Sequence, residues 1–380
     1  MFDILTLNKI SNKIYTVLND DYQVSDNSVS PDAILVRSYK MDDYEIGDNL
    51  LCVGRAGAGV NNIPLDRMTD AGVCVFNTPG ANANAVKELV ICALFLASRD
   101  IIGGNKWANG LSGDDVPKQV EKGKSAFGGT EILGKTLGIV GLGAIGLKVA
   151  NAAIALGMSV VGYDPYYKGD NQNIKVVTDL ECLYAESDYI SLHLPLLPST
   201  RGMISTDAIS KMKDGAILIN MARGELVDVN VVKHALECGK IRSYVVDFPN
   251  EDCLNTKGII AIPHLGASTE EAEENCAIMA SAQIKEYLED GNIVNSVNFP
   301  NIKVARTLEN RLTIIYNANT TALENIKALA EKTECALNYA ERGTVGYAII
   351  DTSANLSLED DENLVSSIAD LDDIISIRIL

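Results

Sequence analysis

Apolar residues along this chain fall into short runs separated by polar or glycine-bearing stretches, and the length of each run indicates the element it forms. In the first third, AILVR (33–37), LLCVG (50–54) and VCVF (73–76) are too short for helices. They predict strands of a parallel sheet covered by helices. Residues 84–98, NAVKELVICALFLAS, are apolar nearly all round and predict a buried helix. From 136 to 264 the rhythm is clearer: TLGIV, SVVGYD, YISLH, AILIN, SYVVD and IIAIP are mostly separated by helical patterns. Six strands with crossovers predict a doubly wound α/β sheet. A long helix over about 268–290 follows, with Ser268 as N-cap, Glu271 three residues on, and Gly291 as its stop. Beyond a connector at 294–310, the chain reads RLTIIYN, ALENIKALAEKT, CALNYAE, GYAIIDT, an acidic helix and IISIRIL. This βαββαβ order is the ferredoxin-like arrangement. The run EDDE at 359–362 reads as the solvated start of its second helix.

Composition narrows the function. The 380 residues carry 51 acidic and 32 basic side chains, a net charge of −19, which argues against nucleic acid or an anionic membrane as partner. No run of about 18 apolar residues appears, and MFDILTLNKISNKIY lacks the basic start and apolar stretch of an export signal. The expected location is cytoplasmic. Eight cysteines are scattered with no C-x-x-C pair, so neither a zinc site nor a disulfide framework is expected, and no metal.

The segment Gly141-Leu-Gly143-Ala-Ile-Gly146 matches G-x-G-x-x-G. It follows the strand TLGIV and opens a helix whose apolar face is expected at Ile145, Val149, Ile154 and Leu156. Gly141 permits a tight turn, Gly143 lets a pyrophosphate approach the backbone, and Gly146 allows close helix–strand packing. The helix start offers free N–H groups to the phosphates. Asp164, 23 residues after Gly141, ends the next strand. There it can bind ribose hydroxyls and repel a 2′-phosphate, which favours NAD over NADP. Gly57-Ala-Gly59 also follows a strand, but Asn62 stands where the third glycine would be, so it is not a second fingerprint. Its backbone, with Arg55 beside it, can hold a small anion.

Oxidising an alcohol needs a proton acceptor tuned near neutral pH, usually histidine. Of three histidines, His234 lies mid-helix and reads as a surface residue. His193 ends the strand SDYISLH, where ligands gather in parallel sheets, and reads as a structural or supporting group. His264 also lies at a strand's carboxyl end and is the best base candidate. Asp247, Glu251 and Asp252 follow SYVVD at the same sheet edge and can raise its pKa. Arg223, after AILIN, supplies a fork suited to a carboxylate.

Together GLGAIG with Asp164, NMARGELVD around Arg223, DFPNE with Glu251 and PHLGAST around His264 resemble the D-isomer-specific 2-hydroxyacid dehydrogenases. One departure is that the family usually reads D-V-F-x-x-E where this chain is one residue shorter. The resemblance implies that Arg223 binds the substrate carboxylate and keto oxygen, Glu251 partners the base, and His264 transfers the proton. It also implies NAD bound by Gly141, Gly143, Ala144, Ile145, Gly146, Asp164, His193 and Asp247, the last at the nicotinamide carboxamide. LVRSYK (35–40), VGRAGAGVNN (53–62), FNTPGANANAVKEL (76–89) and residues 122–146 resemble the branch whose substrate carries a phosphate. In so acidic a chain the cations for that phosphate must be concentrated locally. Arg37 and Arg55 are the candidates, with Ser38 as a neutral donor and the backbone of Ala56 and Gly57 for the carboxylate.

The implied architecture is a Rossmann dinucleotide domain (96–266), a discontinuous flavodoxin-like substrate domain (1–95 and 267–300) and an ACT-like regulatory domain (307–380). A homodimer or homotetramer is expected, with a small-molecule substrate between the first two domains. The alternatives are a hydroxypyruvate, glyoxylate or D-lactate reductase of the same family, and an NADH-sensing corepressor-like protein on the same fold. Serine-regulated relatives carry roughly H-x-N-x-P-G in the first ACT loop. Here the stretch is Tyr316-Asn317-Ala318-Asn319-Thr320-Thr321, which predicts weak or absent inhibition by serine.

Overall fold

The computed structural model describes residues 1–333, 335–353 and 364–380; the EDDE run lies outside them. Two compact units are present, one of Met1–Asn82 with Glu273–Leu380, the other of Ala83–Ala272.

The first unit opens with five parallel strands: β1 (Phe2–Leu7), β2 (Tyr22–Ser25), β3 (Ala33–Val36), β4 (Cys52–Arg55) and β5 (Cys74–Phe76). Their order is β2-β1-β3-β4-β5, the flavodoxin-like one. β3 and β5 are buried throughout, as their unbroken apolar runs require. β1 and β2 carry Asp3, Thr6 and Gln23 among their apolar residues, and the run pattern does not reveal them.

The second unit holds β6 (Thr136–Val140), β7 (Ser159–Tyr163), β8 (Lys175–Val176), β9 (Tyr189–Leu192), β10 (Ala216–Asn220), β11 (Ile241–Val246) and β12 (Ile259–Ala261). All are parallel, in the order β12-β11-β10-β9-β6-β7-β8. This is the doubly wound order of a Rossmann sheet with one strand added. The exposed edge strand β8 leaves no apolar signature in the sequence. The helix Ala83–Ser98 packs on the helix Ala144–Ala155. The latter buries Gly146, Val149, Ala150 and Ala153, whereas Leu156 is exposed at its C-cap. Of the expected face, Val149 is buried and Ile145 and Ile154 pack partly buried against the same core, so only Leu156 falls outside it.

The chain returns to the first unit within the first turn of the helix Glu270–Asp290. Its cap is Thr269, whose Oγ1 accepts the Ala272 N–H at 3.1 Å, while Ser268 Oγ donates to the His264 carbonyl at 3.3 Å. The cap thus falls one residue later than expected. Last come β13 (Asn310–Asn317), β14 (Ala336–Arg342), β15 (Val345–Thr352) and β16 (Ile374–Ile379), antiparallel in the order β14-β15-β13-β16. The helices Ala322–Lys332 and Leu364–Ala369 complete the ferredoxin-like order. One face of this sheet packs on those helices through Leu312, Ile314, Ala348 and Ile350. Through Ile315, Tyr347 and Ile349 the other face shares a core with Ile284, Tyr287 and the first sheet. Arg311 and Asp351, 0% and 2% exposed, form a double ion pair at 2.6 and 2.9 Å. Arg311 Nη1 also donates to the carbonyls of Asp290 and Val304. Among the described residues no helix is long and apolar enough to cross a membrane.

Candidate active site

In the second unit the candidate groups stand at the carboxyl ends of parallel strands. After β6 the backbone turns at Gly141, with φ +99°, and a Cβ there would lie 2.5 Å from the His193 carbonyl oxygen. A Cβ on Gly146 would lie 2.0 Å from the Gly141 carbonyl oxygen, so only glycine lets the helix start so close to the turn. At Gly143 a Cβ would meet nothing within 4 Å. Gly143 and Ala144 are exposed and Ile145 is half-buried. Open space beside free helix N–H groups fits a pyrophosphate. Asp164 braces this turn, its Oδ2 accepting from Leu142 N–H and its Oδ1 from Tyr166 N–H, both at 2.9 Å. Each oxygen keeps lone-pair capacity for a ribose hydroxyl. These residues fit a dinucleotide.

His193 follows β9 and donates its N–H to the Val140 carbonyl at 2.8 Å. Its Nε2 lies 3.0 Å from Ser191 Oγ, and burial pushes the imidazole down to about 4. The ring is therefore neutral at pH 7, as a supporting group rather than a proton carrier.

At the end of β10 the fully buried Asn220 holds the next turn. Its Oδ1 accepts from Ala222 N–H at 3.1 Å, and its Nδ2 donates to the Arg223 carbonyl at 2.8 Å and to Tyr244 Oη at 3.3 Å. Arg223 Nη1 donates to the Ala222 carbonyl at 2.6 Å, and the guanidinium carbon lies 5.5 Å from the centre of the Phe248 ring. The other neighbour of that ring is His264, with centroids 4.4 Å apart. Phe248 is thus a shared neighbour of the candidate carboxylate binder and the candidate base.

His264 adopts φ +55°, a left-handed conformation that is uncommon for a bulky residue. Asp247, 1% exposed, holds it there. Its carboxylate accepts the N–H groups of Leu265 at 2.7 Å and Gly266 at 2.8 Å, and its carbonyl accepts that of His264 at 3.0 Å. Burial raises the Asp247 pKa, with the two backbone bonds and nearby His264 pulling the other way. The His264 side chain itself is open to solvent. Glu251 and Asp252 begin a short turn capped by Asn250 and are exposed. Asp252 lies 3.6 Å from Lys233 Nζ. Among the described residues no ion pair or hydrogen bond joins Glu251 to His264. His234 is exposed on its helix.

In the first unit Arg37 and Arg55 stand at the carboxyl ends of β3 and β4. Arg55 Nε donates to the Arg37 carbonyl at 3.2 Å. Gly57, at φ +149°, leaves the room this guanidinium occupies, because a Cβ would fall 1.5 Å from Arg55 Nη1. The backbone donors expected to meet a carboxylate are engaged within the fold, Ala56 N–H with the Val36 carbonyl and Gly57 N–H with the Arg55 carbonyl, both at 2.8 Å, while Ser38 N–H donates to Asn8 Oδ1 at 3.0 Å. Arg37 Nη2 meets Glu273 Oε1 at 2.6 Å. Sequence reasoning missed Asn220, Phe248 and Glu273. A polar residue ending the apolar run AILIN and an aromatic directly after Asp247 were the available signals for the first two.

Comparison with known proteins identifies the family. The family described as D-isomer specific 2-hydroxyacid dehydrogenase, NAD binding domain, matches residues 94–266. The D-3-phosphoglycerate dehydrogenase of Haemophilus influenzae is 33% identical over 362 residues, which is 88% of this chain and 82% of that one. The hydroxypyruvate reductase of Thermotoga maritima is 37% identical over 265 residues, 65% of this chain and 81% of that one. The D-3-phosphoglycerate dehydrogenase of Methanocaldococcus jannaschii is 37% identical over 283 residues, 71% of this chain, and the match spans 52% of that longer relative. Among solved structures, NAD+-bound 3-phosphoglycerate dehydrogenase of Entamoeba histolytica superposes with a TM-score of 0.63 at 26% identity, covering 78% of this chain and 98% of that one. The chain belongs to the D-isomer specific 2-hydroxyacid dehydrogenases. It is an NAD-dependent oxidoreductase.

Proposed function

We propose that this enzyme oxidises D-3-phosphoglycerate to 3-phosphooxypyruvate, the first step of the phosphorylated route to L-serine. The observation that carries the reading is the Arg223–Phe248–His264 cluster, at the same sheet edge as the glycine turn. NAD, when bound, supplies the acceptor for the hydride that leaves C2. Arg223 holds the carboxylate and the developing keto oxygen, and His264 takes the hydroxyl proton. Glu251 is the carboxylate that stabilises the imidazolium, since Asp252 is already beside Lys233. Asp247 keeps the His264 loop in register. Arg37, Arg55 and Ser38 bind the phosphate. Residues 96–266 serve the dinucleotide, 1–95 with 267–300 the substrate, and 307–380 regulation, in a homodimer or homotetramer in the cytoplasm. The names of the relatives from Haemophilus, Methanocaldococcus and Entamoeba support this substrate.

A second reading, reduction of hydroxypyruvate or glyoxylate, is favoured by the Thermotoga relative and by the carboxylate already on Arg37. A panel of D-3-phosphoglycerate, D-glycerate, D-lactate, hydroxypyruvate and glyoxylate, each with the matching NAD or NADP form, separates the two. The highest kcat/KM is expected for D-3-phosphoglycerate with NAD. Turnover of hydroxypyruvate without turnover of the phosphorylated acid would overturn the first reading.

A further inference from the structure

We propose that Glu273 determines how much negative charge the anion site of the first unit accepts, by competing with the substrate's phosphate for Arg37. The inference rests on the reading that Arg37 and Arg55 face the substrate's anionic end. The Arg37–Glu273 pair is short, 2.6 Å, yet its side chains are 38% and 42% exposed. A pair so open to water contributes little to folding and exchanges readily for another anion. Its position is specific, however. Burial raises the thiol of Cys276, one helical turn beyond Glu273 and 5% exposed; a hydrogen bond with Thr78 and the charges of Arg55 and Arg37 pull it down, and Glu273 pushes it up. Arg55 stands beside this pair, its Nε tied to the Arg37 carbonyl at 3.2 Å and its guanidinium over Gly57.

Glu273 sets one negative charge directly against Arg37 at this edge. A phosphomonoester brings about −1.5 to −2 at pH 7, whereas an unphosphorylated 2-hydroxy acid brings only a hydroxyl to the same place. Glu273 therefore penalises the phosphorylated acid and leaves the other nearly untouched. About two charges acting on a third through water at about 5 Å correspond to about tenfold in affinity. Glu273 is a specificity-determining residue, with no role in proton or hydride transfer.

The test compares wild type, Glu273→Gln and Glu273→Asp in the full-length enzyme, using KM for D-3-phosphoglycerate and for D-glycerate and the inhibition constant of inorganic phosphate. Glu273→Gln is expected to lower the ratio of the two KM values about tenfold and to tighten inhibition by phosphate similarly. Glu273→Asp retains the charge and is expected to retain the wild-type ratio. An unchanged or raised ratio in Glu273→Gln, or a Glu273→Asp enzyme that behaves like it, would overturn the proposal. If wild type oxidises D-glycerate and ignores the phosphorylated acid, the substrate reading fails instead. Glu273 is then judged on phosphate inhibition alone.

Discussion

The two units each end their parallel strands in a set of candidate groups, but they hold those groups differently. In the second unit, buried polar side chains bonded to the backbone fix the turns: Asn220 grips the Arg223 turn and Asp247 grips the His264 loop. The candidate side chains Arg223 and His264 stand on that frame, each beside the Phe248 ring. In the first unit the cations are held by one another and by a carboxylate, through Arg55 on the Arg37 carbonyl and Glu273 on Arg37. One edge is organised by position and the other by charge balance. Perturbing a buried neutral group should therefore damage the first edge, while the second should respond to charge alone.

The largest effect is expected from His264→Asn, because asparagine tolerates the left-handed backbone but cannot act as base. It should lower kcat by about 10³-fold, with NADH binding, followed by fluorescence, nearly intact. A loss below tenfold would remove His264 from the chemistry. Next, Asn220→Ala removes the buried grip on Arg223. It should reduce kcat/KM about 30-fold and destabilise the fold by about 2 kcal/mol in chemical denaturation. Full activity would show that the Arg223 turn holds itself.

His193 is the third point of attack. Its folded-state pKa of about 4 lies below the ordinary 6.5, so between those values the unfolded chain takes up a proton that the folded chain refuses. Stability from this group is present above pH 6.5 and is lost as pH falls toward 4. Relative to pH 7, wild type should lose about 2 kcal/mol more than His193→Asn by pH 4.5, after allowing for partial exposure. Parallel curves would exclude a neutral buried ring. A smaller change, about threefold in kcat/KM, is expected from Phe248→Leu, which keeps bulk but removes the π face beneath Arg223. No effect there would mean that Phe248 only fills space. The smallest response concerns serine. Asn317, Asn319 and Thr320 direct their side chains to Asp373, the Gly343 carbonyl and the Asn317 carbonyl within their own domain. Millimolar serine should change the rate less than twofold, and a severalfold suppression would contradict this.

Most of the second unit was legible because its buried strands are unbroken apolar runs, and the end of each run locates a sheet edge. That is why Arg223, Asp247 and His264 could be placed at one edge before any coordinates. β1, β2 and β8 were not legible, since half-exposed strands mix polar residues into the run. On the helix Ala144–Ala155 the apolar face was legible except at Leu156, whereas the small buried positions Gly146, Ala150 and Ala153 were not. A stripe of glycine and alanine is weakly hydrophobic, yet it is the stripe that a neighbouring helix can approach. Glu273 was hidden more deeply: it sits in the run EEAEEN, and its partner Arg37 is 236 residues away. No local periodicity encodes a pairing at that distance.

The terminal four-stranded sheet also constrains how this protein can be altered. Tyr347 donates to the Gly291 carbonyl at 2.7 Å, and Arg311 reaches the end of the preceding long helix at Asp290. Ending the chain before Asn310 would strip one wall from the interior that Ile284 and Tyr287 share with β1 to β5. What resembles a detachable accessory is, mechanically, part of the foundation beneath the first parallel sheet. Deletion experiments aimed at regulation would therefore report collapse of that foundation before they reported anything about an effector.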